Sequence, residues 1–335
     1  MIEKMEKKRL AILKILKKAN QPLRSSKITE QLIGMGHDVS ERTVRFYLLA
    51  MDKDGLTENF GKKGRRITEQ GLKELNTARV FEKVGFLSAK IDQMTYQMSF
   101  DLKNREGTVV FNLSLLDRRH LRPAIPLMCR VFAEKYAMGY LISLFNSNEK
   151  VSDVVVPEGM IGIGTVCSIT FNGVLLQNGI PCQSRFGGLL EIQDKKPTRF
   201  VEIINYDGTS LDPLEVFIRS GMTDFKGITE NGNARIGASF REVPSDSRYK
   251  VLEISHQLEK IGMGGLLSIG WPGQALLEIP VNEGMIGMIV IGGLNPVAIL
   301  EEREIKVCFK ALAGLADYKK FFHYQEIQER IRHLY

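Results

Sequence analysis

Four residues near the middle of this sequence have side chains suited to binding a small anion. Thr165, Cys167 and Ser168 lie in the phrase GIGTVCSITFNG, and Arg185 follows in GIPCQSRFGG. A small dicarboxylate needs a cation, several hydrogen-bond donors and backbone N–H groups in a concave site. We therefore predict that these four residues contact an anionic effector, with Arg185 as the cation.

Two of these residues also have a purely structural interpretation. Cys167 can be a small buried hydrophobic side chain, and Arg185 can belong to a structural ion pair. Arg235 and Arg241 are further cationic candidates. None of these residues belongs to a motif that is specific by itself. Whether they form one site therefore depends on the helices and strands that position them.

Motifs of catalysis and metal binding are missing from the sequence. It contains no GxxxxGK[ST] phosphate loop, no HExxH and no GxSxG. The five histidines have no metal-ligand spacing, and a pairing of Cys167 with one of them stays open without support. We predict no enzyme, no cofactor and no metal. The four cysteines form no CxxC pair, which is typical of reduced thiols in a cytoplasm.

A second chemically distinctive set is basic and lies near the N-terminus. Residues 1–83 contain 19 Lys and Arg against 11 Asp and Glu, whereas residues 84–335 contain 27 against 28. This asymmetry favours a polyanion-binding head joined to a neutral body. The alternative is a solvated lysine-rich helix. The longest apolar runs, such as 285–294, are broken by glycine, which predicts no membrane span.

The order of elements in the head is typical of a winged helix-turn-helix. Helical spacing predicts a first helix over about 3–19 and a second helix, with Ser25 or Ser26 as its N-cap, through Leu32. A third helix is predicted from an N-cap at Ser40 through ERTVRFYLLAMDKD. The strands LTENF and RRIT then flank a tight GKKG turn. A fourth helix is predicted from Thr68 to Glu82.

This geometry predicts which head residues bind double-stranded DNA. The third helix would present Arg42, Thr43 and Arg45 to the major groove. The hairpin would bring four cations to phosphates or the minor groove: Lys62, Lys63, Arg65 and Arg66. Three-helix modules with basic tips also serve as protein-contact domains, so that alternative stays open.

The body is an internal duplication. The pentapeptide EGMIG occurs at 158–162 and again at 283–287, and an offset of 125 gives 15 identities in the 56 positions of 107–162. Each copy reads as strands alternating with one helix of about 20 residues, which predicts an α/β or α+β fold. We place EGMIG where a strand enters a tight turn. The second copy has MIVIGG in place of the GTVCS region, so the first copy acts alone or the two copies form different walls of one cleft.

Five phrases carry a resemblance to a known family: SERTVRFYL, GLTENFGKKGRRIT, VPEGMIGIGTVCSITFNGVL, NARIGASFREVP and VNEGMIGMIVIGGLNP. Over essentially its whole length the chain resembles the nitrogen regulatory repressors (the NrpR family), first described in methanogenic archaea. The resemblance implies a winged-helix domain at 1–83 and a regulatory domain at 84–335, with repeats of about 84–208 and 209–335.

The same resemblance implies a function. It implies a dimeric repressor that is released from operators upstream of nitrogen-assimilation genes when 2-oxoglutarate binds the regulatory domain. One winged head offers few contacts, so we expect a homodimer on an inverted-repeat operator, and the cysteine usage predicts a cytoplasmic location. The alternative is a winged-helix protein whose body is an interaction or assembly module without a metabolite.

Overall fold

A computed structural model describes residues 2–75, 86–227 and 232–332 of the chain. The chain divides into two units, Met1–Gly85 and Phe86–Tyr335. The predicted boundary between residues 83 and 84 lies outside the described residues.

The first unit contains the helices and the hairpin in the predicted order. They are α1 (Ile2–Ala19), α2 (Ser25–Gly34), α3 (Glu41–Lys53), β1 (Thr57–Asn59), β2 (Arg65–Ile67) and α4 (69–75, as far as the described residues extend). Ile12, Leu32 and Val44 are among the fully buried side chains that hold the three helices together. The hydrophobic spacing in the sequence therefore produces a winged-helix core.

The helix ends confirm one predicted cap and contradict another. Ser40 precedes α3, and its hydroxyl accepts a hydrogen bond from the Thr43 N–H at 3.2 Å. The predicted cap of α2 is wrong. Ser25 is the first residue of that helix, and the capping position belongs to Arg24, whose side chain makes no capping bond.

The hairpin is held against the segment between α1 and α2. Leu23 and Arg65 exchange two backbone hydrogen bonds, each of 2.9 Å. Gly64 allows this approach, because its φ is 106° and a Cβ there would lie 2.1 Å from the Leu23 carbonyl oxygen. A single 3₁₀ turn, Gly61–Lys63, forms the tip.

The second unit repeats one order of elements. The first repeat contains α5 (Leu87–Gln97), β3 (Thr108–Asp117), α6 (Leu121–Ala133), β4 (Leu141–Phe145), β5 (Lys150–Val151), β6 (Val154–Val155), β7 (Met160–Val166), α7 (Ile169–Gln177), β8 (Gln183–Gln193) and β9 (Lys196–Asn205). The second contains α8 (Pro213–Arg219), β10 (Ala234–Pro244), α9 (Arg248–Lys260), β11 (Leu266–Ile269), β12 (Met285–Ile291), α10 (Asn295–Glu302), β13 (Val307–Asp317), β14 (Phe322–His323) and α11 (Ile327–Arg332). The expected 20-residue helices are the 13-residue α6 and α9, each preceded by a 3₁₀ turn.

Each repeat contributes two strands to the sheet of the other. The sheet of the first repeat has the order β13-β3-β7-β4-β14, and the sheet of the second has the order β11-β12-β10-β8-β9. Thus β8, from the first repeat, pairs antiparallel with β10, while β13, from the second, pairs antiparallel with β3. The sequence repeats are therefore not two separate lobes, because each sheet needs a strand from the other copy.

Both EGMIG segments form a turn that leads into an interior strand of a sheet. Gly159 and Gly284 have φ of 76° and 73°, just before β7 and β12. In the second copy, a Cβ on Gly287 would lie 2.6 Å from the Phe240 ring. The predicted tight turn is present, but it precedes the strand, and the last glycine admits a neighbouring ring.

Candidate functional site

The exposed face of α3 carries the predicted base-reading arginines. Arg42, Arg45, Phe46 and Leu49 are all exposed. The Arg45 guanidinium donates to the Glu41 carboxylate at 2.7 Å, but its side chain is 65% exposed. This face therefore offers cations and apolar groups of the kinds that read base edges.

Thr43 has a different role within the same helix. Its hydroxyl is 2.8 Å from the Ser40 hydroxyl, and its N–H donates to the same oxygen. These bonds are those of a helix N-cap. Thr43 therefore fixes the start of α3, and the outward cations beside it are Arg42 and Arg45.

The hairpin separates its four predicted cations into two groups. Lys62, Lys63 and Arg66 are exposed. Arg65 is instead 14% exposed at its side chain and pairs with Asp52 of α3 at 2.8 Å. Successive strand residues point to opposite faces, so Arg65 holds the hairpin to α3 while Arg66 points outward.

The predicted effector residues are also not all brought together. Thr165, Cys167 and Ser168 lie where β7 ends and α7 begins. Arg185 instead donates to the buried Glu242 carboxylate at 2.7 Å and to the Pro280 carbonyl at 2.6 Å. The structural ion pair is therefore the role that the contacts give Arg185.

Arg241 is the arginine that contacts the segment 165–168, through Ser168. Its side chain is fully buried on β10. It donates to the Ser168 carbonyl at 2.9 Å, to the Ser168 hydroxyl at 2.7 Å and to the Ser239 hydroxyl at 3.2 Å, and it also contacts the Asn172 amide oxygen. Within the described residues no carboxylate pairs with it. A buried guanidinium with only neutral acceptors is unusual, because a buried charge is costly without a counter-charge.

Ser168 and Ser239, both hydrogen-bonded to Arg241, line a small cavity where equivalent segments of the two repeats face each other. Cys167 and Ser168 line one side, and their counterparts at an offset of 125, Gly292 and Gly293, line the other. The remaining polar lining comes from Asn112, Tyr206, Asp212 and Ser239. Its free volume is about 20 Å³, enough for one water molecule.

Close packing at the duplicated segments keeps this cavity narrow. A Cβ on Gly293 would lie 2.3 Å from the Val166 carbonyl oxygen and 2.5 Å from the Asn112 amide nitrogen. The first-copy counterpart, Ser168, keeps its side chain and uses it to accept from Arg241. The duplication has therefore placed backbone groups on one wall and side-chain groups on the other.

Burial sets the protonation of the titratable groups around the cavity. It raises the pKa of Cys167 to about 11, so this side chain is a neutral thiol at pH 7. Burial, with help from the nearby Glu215, raises the pKa of Asp212 to about 6. Burial and the Lys310 charge lower the pKa of Lys90, whose ammonium also interacts electrostatically with Cys167, Glu215 and Asp212.

Comparison with known families decides what kind of protein carries this cavity. The family model described as NrpR regulatory domains NRD1 and 2 matches residues 84–323. The chain belongs to the NrpR family. The model described as ribonuclease R winged-helix domain matches residues 10–75, in agreement with the fold of the head.

Curated NrpR proteins match nearly the whole chain. The global nitrogen regulator NrpRI of Methanosarcina mazei is 32% identical over 315 residues, covering 94% of this chain and 97% of that protein. The global nitrogen regulator NrpR of Methanococcus maripaludis is 30% identical over 91% of this chain. This chain spans 53% of the latter's length.

A solved NrpR-like structure supports the architecture of the body. A nitrogen repressor-like protein from Methanococcus jannaschii is 29% identical, with a TM-score of 0.61 over 72% of this chain and 99% of its own. The NrpR family consists of nitrogen-regulating transcriptional repressors and is not an enzyme family. The expectation that the chain is not an enzyme is thereby confirmed.

Several residues at and near the cavity of this NrpR chain were missed in the sequence. The lining residues Asn112 and Asp212 carried no motif, and neither did Lys90, which interacts electrostatically with Cys167 and Asp212. Arg241 was only a further cationic candidate, although it bonds the lining residues Ser168 and Ser239. The duplication offered one usable signal, because the offset of 125 maps Cys167 and Ser168 onto Gly292 and Gly293. In the described part of the chain, no cluster of His, Cys, Asp or Glu could hold a metal ion, and no helix could cross a membrane.

Proposed function

We propose that this chain represses nitrogen-assimilation genes in the cytoplasm as a homodimer on an inverted-repeat operator. Binding of 2-oxoglutarate beside Arg241 releases the repressor from this operator. NrpR membership supports the nitrogen-regulating repressor, and the cavity supports a small anionic effector. The proposal moves the effector cation from Arg185 to Arg241.

The observation that carries the effector proposal is the uncompensated Arg241 guanidinium. It is 0% exposed and bonds only to neutral oxygens among the described residues. A carboxylate supplies the counter-charge that such a cation lacks and accepts two parallel N–H bonds. The Ser168 hydroxyl can re-orient toward an anion because a hydroxyl rotates to suit its partner, and the Ser239 hydroxyl can do so by giving up its 3.3 Å bond to the Val290 carbonyl.

A second cation suits the second carboxylate of a dianion. Lys90 is half-buried, and its pKa is lowered by burial and by Lys310. Added negative charge would favour its protonated form. A monocarboxylate would pair with Arg241 alone. Lys90 is therefore expected to make the site favour dicarboxylates.

The cavity is smaller than the proposed ligand, so binding requires the regulatory domain to change shape. About 20 Å³ is too small for 2-oxoglutarate, so its walls must separate as the ligand enters. A ligand shifts DNA affinity only if it binds the two arrangements differently. Because the repeats exchange β8 and β13, a shift at this cavity is transmitted to both sheets.

The exposed cations of the head support operator binding. Arg42, Arg45, Lys62, Lys63 and Arg66 are all exposed; the two arginines of α3 suit base edges, and the three cations of the hairpin suit phosphates. One winged head makes few contacts, so two heads on half-sites about one helical turn apart, or a multiple of it, are expected.

Calorimetry of the full chain tests the effector against the alternative of a body that only mediates assembly. 2-Oxoglutarate should bind, whereas glutamine should not. Arg241→Lys should weaken binding, and Arg235→Lys, an exposed cation on the same strand, should not. The absence of any binding by the wild-type chain would favour the assembly alternative.

A further inference from the structure

We infer that the surface formed by β11, Trp271 and the outer face of α9 is where a second copy of this chain docks. We call this the β11 surface; its exposed aromatic and apolar members are Tyr249, Leu252 and Trp271. The inference rests on the proposed homodimer and assigns it a location.

The first repeat shows what happens to the equivalent surface when it is covered. There, β14 pairs with β4 through Phe322 and Ile142. The Tyr324 ring stacks on Phe132 with 5.0 Å between centroids, and Ile327 of α11 is 1% exposed. One edge of the first sheet, with its flanking helix, is thus sealed by aromatic and aliphatic groups from the C-terminal segment.

The second repeat leaves the corresponding surface open. In the described part of the chain, β11 ends its sheet and has no strand on its outer side. Its residues are all half-buried. Tyr249 is 77% exposed and Trp271 is 53% exposed, with the Arg248 guanidinium 3.8 Å from the Trp271 ring centroid. Trp, Tyr and Arg are the residue types that dominate protein–protein contacts.

The shape beside β11 also suits an inserted side chain. A groove of about 200 Å³ has one wall from the first repeat, which includes Tyr140. Its other wall comes from the second repeat and includes Ser255 and Glu259 of α9 and Leu266 and Leu267 of β11. An aromatic anchor seated in a pocket is typical of the centre of an interface.

The opposite edge of the same sheet differs in sequence. The edge strand β9 carries Lys196, Pro197, Arg199 and Glu202, and charges and proline are the devices that keep edge strands from pairing. The β11 segment LLSI has none of these. Because β11 is short and irregular between Leu266 and Ser268, side chains are expected to contribute more than a strand ladder.

Charge decides between possible occupants. The exposed side of α9 carries both signs: Lys250 pairs with Glu253 at 3.0 Å, and Glu259 precedes Lys260. A near-neutral patch has no electrostatic preference for nucleic acid or for a strongly charged protein. A patch with both signs can complement itself across a two-fold axis, which is the commonest symmetry of homo-oligomers.

The single tryptophan of the chain makes the inference directly measurable. Diluting the full-length protein through its dimer dissociation constant should move Trp271 emission to the red and increase its quenching by acrylamide. Sedimentation equilibrium on the same samples gives the dissociation constant. An emission spectrum that stays constant while the dimer dissociates would place the interface elsewhere and overturn the inference.

Matched variants separate this surface from other exposed apolar residues. Tyr249→Glu and Leu252→Glu should each weaken the dimer on the order of 100-fold, as expected for central interface residues. Tyr96→Glu, at an 82% exposed tyrosine on α5, and Ile203→Glu, at a 48% exposed residue on β9, should leave it unchanged. Circular dichroism checks that each variant is folded.

The outcomes distinguish this inference from the proposed function. If the dimer resists the α9 substitutions but dissociates with Ile203→Glu, the β11 surface is not the interface, whereas the proposed homodimer stands. A wild-type chain that is monomeric throughout would sink both this inference and the dimeric part of the proposal, whereas effector binding by calorimetry would be unaffected.

Discussion

Arg241 on β10 holds Ser168, 73 positions earlier, by two hydrogen bonds, one to its carbonyl and one to its hydroxyl. The start of α7 in the first repeat is thereby fixed to the central strand of the second. This contact places the buried cation next to the cavity, and it is the geometry that an effector would have to share or replace.

Replacing Arg241 tests the effector site. Arg241→Lys keeps the charge but loses the planar fork that binds a carboxylate through two N–H groups. We expect 2-oxoglutarate affinity to fall by about 10- to 100-fold, equivalent to about 1.4–2.8 kcal/mol. Calorimetry measures the loss, with Arg235→Lys as the control. Unchanged affinity in Arg241→Lys would remove this residue from the site.

Replacing Arg185 should affect stability rather than the effector. Arg185→Met leaves the Glu242 carboxylate, which is 0% exposed, without its cation, although Asn282 still donates to it at 2.6 Å. Removing one partner of a buried pair costs on the order of 3 kcal/mol. Urea unfolding should show this loss, and 2-oxoglutarate affinity should stay normal. A stable variant with lost affinity would return Arg185 to the effector site.

Asp212 predicts a pH dependence of stability. Its pKa is raised from 3.8 to about 6 by burial, so the folded state binds the proton more tightly than the unfolded state. The stabilisation is full below pH 3.8 and is lost as pH rises to about 6. Asp212→Asn retains the N-cap of α8 and should flatten this part of the urea-unfolding profile, by about 1–3 kcal/mol. Parallel profiles for the two proteins would refute the assignment.

The head predicts two distinguishable DNA phenotypes. Arg45→Ala should reduce discrimination between operator and random DNA, because it removes a base-edge contact. Lys62→Ala with Lys63→Ala should weaken binding to both about equally and flatten its salt dependence, because fewer counterions are released. Fluorescence anisotropy over a salt series measures both. Equal loss of specificity in the two variants would contradict this division of roles.

Local sequence patterns determined the head and the duplication. Apolar residues at helical spacing, the Ser40 cap and the order of helices and hairpin predicted the winged helix, because these features depend on neighbours within a few residues. The 125-residue offset similarly predicted two repeats and their facing loops. It could not predict the exchange of β8 and β13, since pairing is decided by which strand edges meet in the folded chain.

Strand pairing, which local sequence does not predict, also explains why Arg185 forms the ion pair with Glu242 while Arg241 contacts Ser168. Neighbouring strand residues point to opposite faces, so a shift of one residue reverses which side chain points toward α7. The pairing of β8 with β10 shifts between Phe240 and Arg241, directly at the residues in question. Charge and residue type offered several arginines as candidates, whereas the register of two strands far apart in sequence decided that Arg241, and not Arg185, bonds Ser168.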